Sequence, residues 1–257
     1  MDQIYHKKDM DRDLLTCQQT DRGIRAGNED ACGVWRINGP EGTFTLLVVA
    51  DGIGGHPAGE VASMLALEAL SRRVTERITE PGPRTGDFRS IMLDGFRFAN
   101  TVVIREGEED EDRLGMGTTL VAALVTPGGE VIVGNIGDSR AYLLDGALRR
   151  VTRDHSKVQE LVEAGMVTPE FADRHPLKNI VTRIIGRRGE LPDIYTENLG
   201  NARILLCSDG LIDGLPEEEI SPIAGNGSVS TACRRLVEAA KEKSRDNITV
   251  VMAGYRR

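Results

Sequence analysis

Apolar residues along this chain come in short bursts of two kinds. Runs such as LLTCQQT (14–20), ACGVWRI (31–37) and FTLLVVA (44–50) are rich in β-branched and aliphatic residues, which predicts strands. From Pro57 to about Thr79 the spacing changes. Val61, Met64, Leu65, Leu67, Leu70, Val74 and Ile78 recur at helical period, so a helix with that stripe in the core is expected, stopped by Pro81, Gly82 and Pro83. A second helix is expected from about Asp87 to Arg105, carrying Phe88, Ile91, Met92, Ala99, Val102 and Val103.

Strand text returns at 119–126, 130–136 and 139–145, with Pro127-Gly128-Gly129 between the first two and Asp145-Gly146 as a hairpin turn. Residues 156–165 read as a helix capped by Ser156 and stopped by Gly165, and another short helix starts at Thr168-Pro169. Strands at about 193–198 and 203–208, a helix over 229–242 and a last strand over 248–255 complete the reading. Helices grouped between clusters of hairpin-like strands indicate a layered α+β fold and not a βαβ alternation.

At 257 residues the chain suits one compact domain or two small ones and can bury a core without staples. We expect a polar leader over 1–13 and a single domain over 14–257. A net charge of −8 and 4% aromatic residues argue against nucleic-acid or anionic-membrane binding, which need a basic face. Apolar runs such as Leu120 to Val125 are far shorter than the roughly 20 residues of a membrane span. No secretory signal is read at the N-terminus, and Cys17, Cys32, Cys207 and Cys233 form no metal-binding spacing. Buried free thiols in the cytoplasm are the expectation.

One pattern repeats. Asp51 follows LLVVA, Asp138 follows EVIVGNIG, Asp209 follows ILLCS, and Asp246 with Asn247 precedes ITVV. Each of the four stands at the end of a strand that reads as buried, where a carboxylate is costly without a cation. Any one Asp-Gly or Asp-Asn pair is ordinary turn chemistry. Four together, without clustered His or Cys, form a hard-oxygen set suited to Mg²⁺ or Mn²⁺. Upstream, Arg25 precedes Glu29 by four residues; the pair is either an exposed local ion pair or a phosphate clamp beside an acid that orients water.

The ordered motifs RxxNED (25–30), DGIGGHxxGExAS (51–63), GMGTTL (115–120), GDSRAYL (137–143), RDHS (153–156), TRIIG (182–186), CSDGL (207–211) and DNITVV (246–251) resemble the metal-dependent type 2C serine/threonine protein phosphatases in their bacterial form. The likeness covers about residues 16–256. It implies a four-layer α-β-β-α sandwich of two largely antiparallel sheets with a flap over about 156–180. It implies two core Mn²⁺ or Mg²⁺ ions and room for a third. By motif, Asp51 resembles the acid bridging the core ions, with the Gly52 carbonyl as a further ligand. Asp209 and Asp246 look like the remaining core ligands, and Asp138 with Asp209 like those of the third ion. Glu29 resembles the acid that reaches a metal through water, Asn247 stands beside a ligand, and Arg25 resembles the phosphate-binding arginine.

The reaction so implied is hydrolysis of phosphoserine or phosphothreonine in proteins by a hydroxide bridging two ions, reversing a cognate kinase. One position departs from the eukaryotic pattern: where a histidine serves as general acid, this chain has Ile53. His56, three residues on, is read as capping or packing at a helix start. The rival reading is an inactive relative that binds phosphoproteins; the presence of all four aspartates favours the enzyme. We expect a monomer whose partners are phosphoproteins, a kinase among them. The acidic run at 107–112 is read as a solvated loop, and Cys207 as a buried strand residue.

Overall fold

The computed structural model describes residues 13–53, 58–81, 87–172 and 174–256. Of the expected polar leader only Asp13 falls within them, as does Pro81 of the Pro81-Gly82-Pro83 stop, and His56 lies outside them. Eleven strands are found among these residues: β1 (Leu14–Asp21), β2 (Asp30–Gly39), β3 (Gly42–Ile53), β4 (Gly117–Thr118), β5 (Leu120–Val125), β6 (Glu130–Ile136), β7 (Arg140–Asp145), β8 (Ala147–Arg150), β9 (Asp193–Asn198), β10 (Arg203–Cys207) and β11 (Ile248–Tyr255). The helices are α1 (Ala58–Thr79), α2 (Phe88–Glu109), α3 (Lys157–Glu163), α4 (Pro169–Ala172), α5 (Asp209–Gly214), α6 (Glu217–Gly225) and α7 (Val229–Lys241), with a single tight turn at Glu111–Arg113.

The strands form two antiparallel sheets, one ordered β1-β11-β10-β7-β8 and the other β2-β3-β5-β6-β9, with β4 appended to β3. Their faces explain the unbroken apolar runs. In β3, Leu46, Val48 and Ala50 face α1 and α2, whereas Leu47 and Val49 meet Ile204, Leu206 and Val251 of the other sheet. Successive strand side chains point to opposite faces, so a strand covered on both sides loses its polar alternation. The outer face of the first sheet is closed by α5, α6 and α7 through Leu205, Leu211, Leu236 and Val250. The result is helix, sheet, sheet, helix, as expected.

Ser156 accepts from the Gln159 N–H at 3.3 Å as the expected cap of α3, and Gly165 ends that turn at φ +68°. Some expectations need correction. Met64 is 46% exposed, because the buried stripe of α1 runs through Ala62, Ala66, Leu70 and Val74 and leaves Met64 on its outer side. The acidic run at 107–112 is not a loop throughout. Helix α2 continues to Glu109, since Arg105 pairs with Glu109 at 2.7 Å and Arg188 with Glu108 at 2.5 Å, relieving the repulsion. Strand β8 and helices α5 and α6 were not expected: Asp209-Gly210 reads as a turn, and Pro222 and Gly225 as breakers.

Candidate active site

The ends of β2 and β3 lie against those of β10 and β11, and the acids gather there. Asp30 and Asp51 are direct partners across β2 and β3. Asp138 follows β6, Asp209 opens α5, and Asp246 lies two residues before β11. Asp51, Asp138 and Asp209 line a pocket of about 200 Å³ together with Ile53, Thr119, Asn179, Val181, Ile184 and Arg187. The strand-end pattern thus brings three of its four acids into one cavity. Asp246 is not among the lining residues, but its charge acts on Asp209.

Polar side chains fix the backbone beneath these acids. The Asp51 N–H donates to Thr119 Oγ1 at 3.0 Å, and its carbonyl accepts from Thr119 N at 2.9 Å and Thr118 Oγ1 at 2.8 Å. Thr119 Oγ1 in turn shares a 2.7 Å hydrogen bond with Ser139 Oγ. The Gly52 N–H donates to the Glu29 carbonyl at 3.1 Å, and a Cβ at Gly52 would stand 2.2 Å from the Gly59 carbonyl oxygen. Only glycine permits that approach of β3 to α1. Asn247 accepts from Glu29 N–H at 2.8 Å and donates to the carbonyls of Arg22 and Gly27, so it anchors the Arg25 loop to β11. Ser208 donates to Asp30 Oδ2 at 2.8 Å, joining the two sheets behind Asp209.

The electrostatics match a site built for cations. Burial, then the neighbouring carboxylates of Asp30, Asp209 and Asp138, push the Asp51 carboxyl well above its usual range. Asp138 is raised well above it as well, by burial and by Asp209. Asp209 is pushed up to about 6 and Asp30 to about 7, burial leading in each case. Asp209 Oδ1 and Asp30 Oδ1 are buried without a partner. Among the described residues, no group of three or more His, Cys, Asp or Glu is already closed around an ion position. Orphaned carboxylate oxygens and repelling acids nonetheless fit hard divalent ions by donor type and place.

Arg25 is not paired with Glu29. Its Nη2 donates to Asp246 Oδ2 at 2.7 Å and its Nε to the Arg245 carbonyl at 3.0 Å, at the edge of the acid cluster. Glu29 turns toward α1, where a Cβ on Gly59 would meet its Oε2. Cys207 is buried with its thiol pushed up to about 12 by burial, so it is a strand residue and no nucleophile.

The segment expected as a flap, about 156–180, carries the short helices α3 and α4 among its described residues. Lys157 N–H donates to the Ile180 carbonyl at 2.7 Å and Thr182 N–H to the His155 carbonyl at 2.8 Å, closing its base. His155 also accepts at Nδ1 from the Gly137 N–H at 3.0 Å, and its Nε2 lies 3.1 Å from Asp193 Oδ2 and 2.8 Å from Arg183 Nη1. Gly137, at φ +108°, makes the turn that presents Asp138. Sequence reasoning missed His155, Asp30, Ser208 and Arg187. Asp30, His155 and Ser208 lie inside the motifs RxxNED, RDHS and CSDGL, which was their local signal, whereas Arg187 follows TRIIG and lies in none.

The protein phosphatase 2C family model matches residues 23–249. The chain belongs to the protein phosphatase 2C family. It is 39% identical over 244 residues to the serine/threonine protein phosphatase PstP of Mycobacterium tuberculosis, spanning 93% of this chain and 45% of that protein's length. A serine/threonine phosphatase stp of Listeria monocytogenes is 38% identical over 245 residues, 91% of this chain and 93% of that protein. Among solved structures, that of Staphylococcus aureus Stp1 matches with TM-score 0.85 and 33% identity, over 95% of this chain and 96% of that one. The catalytic domain of PstP in complex with two manganese ions matches with TM-score 0.80 and 36% identity, over 95% and 99%. No helix among the described residues is long and apolar enough to cross a membrane.

Proposed function

We propose that this protein phosphatase 2C chain is a metal-dependent protein phosphatase that hydrolyses phosphoserine and phosphothreonine. The observation that carries the reading is the meeting of Asp51, Asp138 and Asp209 in one pocket, with no Lys or Arg ion pair to any of the three among the described residues. Asp51, the Gly52 carbonyl, Asp209 and Asp246 would hold a pair of Mn²⁺ or Mg²⁺ ions, and Asp138 with Asp209 a third. Once bound, such ions supply the charge that makes water nucleophilic near neutral pH and neutralises phosphoryl oxygens.

The chain's own groups do the rest. Thr118 and Thr119 hold the Asp51 carbonyl and N–H, so that carboxylate enters the reaction already oriented. Glu29 would orient water, and Asn247 fixes its backbone N–H at 2.8 Å. Arg25, released from Asp246, offers two parallel N–H groups to a phosphoryl oxygen pair and stabilises charge developing in transfer. Ile53 carries no proton, so the leaving alkoxide takes its proton from water. We treat 14–257 as one catalytic domain, acting as a monomer in the cytoplasm on phosphoproteins that include a kinase. Among the described residues, Cys207 and Cys233 are buried free thiols, which suits a reducing compartment.

The test is phosphate release from a phosphothreonine peptide at neutral pH with Mn²⁺, with and without excess EDTA. Release that EDTA abolishes is the expected result. A folded sample that releases none with either ion would transfer the weight to an inactive phosphoprotein-binding module.

A further inference from the structure

The pocket carries a cation that the catalytic reading does not use. Arg187 lines it beside Asp51, Asp138 and Asp209. Its neighbours are neutralised within the fold: Arg183 by Asp193 at 3.1 Å and Glu190 at 3.5 Å, Arg188 by Glu108 at 2.5 Å. Among the described residues, the Arg187 guanidinium makes no hydrogen bond or ion pair, in a chain with 40 acidic residues.

Its mounting is unusually firm for an exposed residue. Asn100 is buried in α2, where an amide is costly unless both of its ends are satisfied. Both ends go to this segment: Oδ1 accepts from Gly186 N–H at 2.7 Å, and Nδ2 donates to the Arg187 carbonyl at 2.9 Å. Paired hydrogen bonds between Thr118 and Ile185 tie the same segment to the acid-bearing end of β3. Gly186 adopts φ +107°, with a Cβ there meeting the Met116 carbonyl at 2.5 Å, so the turn presenting Arg187 is specific to glycine. A buried amide is committed to holding the peptide of an arginine that lines the pocket and whose guanidinium has no partner among the described residues.

We propose that Arg187 is a specificity-determining residue that takes a carboxylate of the phosphopeptide next to the phosphoresidue, with Ile53, Val181 and Ile184 as the apolar wall along which that chain lies. The inference rests on the phosphatase reading above. It follows from charge: the acids of the pocket are reserved for ions, and a chain of net charge −8 repels an acidic substrate unless a local cation receives it. An arginine fork suits a carboxylate, since it offers parallel donors in one plane.

The experiment compares phosphothreonine peptides carrying Glu, Ala or Lys beside the phosphoresidue, with p-nitrophenyl phosphate as a substrate that has no flank, all with Mn²⁺. In the wild type, kcat/KM should favour Glu over Ala by about fivefold, expressed in KM and fading at about 0.5 M salt. R187A should bring that ratio to about one, R187K should keep part of it, and R187E should favour Lys. An unchanged ratio in R187A would overturn the proposal. So would a loss on p-nitrophenyl phosphate as steep as on the Glu peptide, which would make the guanidinium a phosphoryl or structural group. If the wild type turns over neither substrate class, the phosphatase reading falls and this inference with it; turnover without discrimination removes this inference alone.

Discussion

Arg25 shows how one side chain can serve the fold and the reaction in turn. In this structure it pairs with Asp246, and the pair is open to solvent, with side chains 55% and 33% exposed. Such a pair contributes under about 1 kcal/mol, because water and salt screen it. Arg25→Ala should therefore leave the unfolding midpoint nearly unchanged while raising KM for a phosphopeptide about tenfold, a magnitude typical of a lost charge-assisted contact. Urea melts and steady-state kinetics on the same sample check both halves; an unchanged KM would remove Arg25 from the phosphate site. The residue scale is also where the sequence was least complete. Asp51, Asp138, Asp209 and Asp246 were legible because each interrupts an apolar run. Arg187 and His155 were not, since their roles depend on which strand ends meet, and nothing local marks a guanidinium as unpaired.

Elements were legible where burial wrote a period into the chain. The doubly covered strands β3 and β5 read as solid apolar runs, and α2 as a one-sided stripe. Short elements near the pocket escaped because their residues serve turns and ligands first: Asp209-Gly210 begins α5, and its register comes from packing on α7, where a Cβ at Gly214 would strike the Ala240 carbonyl at 2.3 Å. Helix α2 carries a consequence for the site. Phe96 is fully buried and lies so close over Gly134 of β6 that a Cβ there would be 2.4 Å from the ring. Asn100, one turn further along, holds the segment at 186–187. Phe96→Ala should cost about 3–5 kcal/mol in urea unfolding, from lost transfer energy and the cavity left behind. The variant that remains folded should also lose peptide turnover more than p-nitrophenyl phosphate turnover, because α2 is the support of Arg187. Equal losses on both substrates would show that α2 supports the sheet alone.

At the scale of the whole molecule, the two sheets bring several carboxyl groups into one place, and the fold carries the cost. A carboxyl whose pKa is higher folded than unfolded binds its proton more tightly in the folded protein. It therefore favours folding at low pH, and that advantage is lost as pH rises from the unfolded value through the folded one. For Asp209 the window opens near 3.8 and closes near 6; for Asp30 it extends to about 7. The shift at Asp209 alone corresponds to at most about 3 kcal/mol. His155 acts in the opposite sense, since burial lowers its pKa and stability falls as pH drops below about 6.5. A difference between variants that both retain His155 cancels that contribution. In EDTA, Asp209→Asn should be more stable than the wild type at pH 8, and the two should converge as pH falls to 4. Adding Mn²⁺ should reverse the order at pH 8: the wild type gains by mass action on the folded state, whereas the amide variant has lost a ligand and gains little. Thermal unfolding across pH 4–8, with EDTA and then with Mn²⁺, reads both effects without any turnover assay. Parallel EDTA profiles for the two proteins would mean that Asp209 carries no charge burden in the fold, and an equal Mn²⁺ gain would remove it from the ion-binding set.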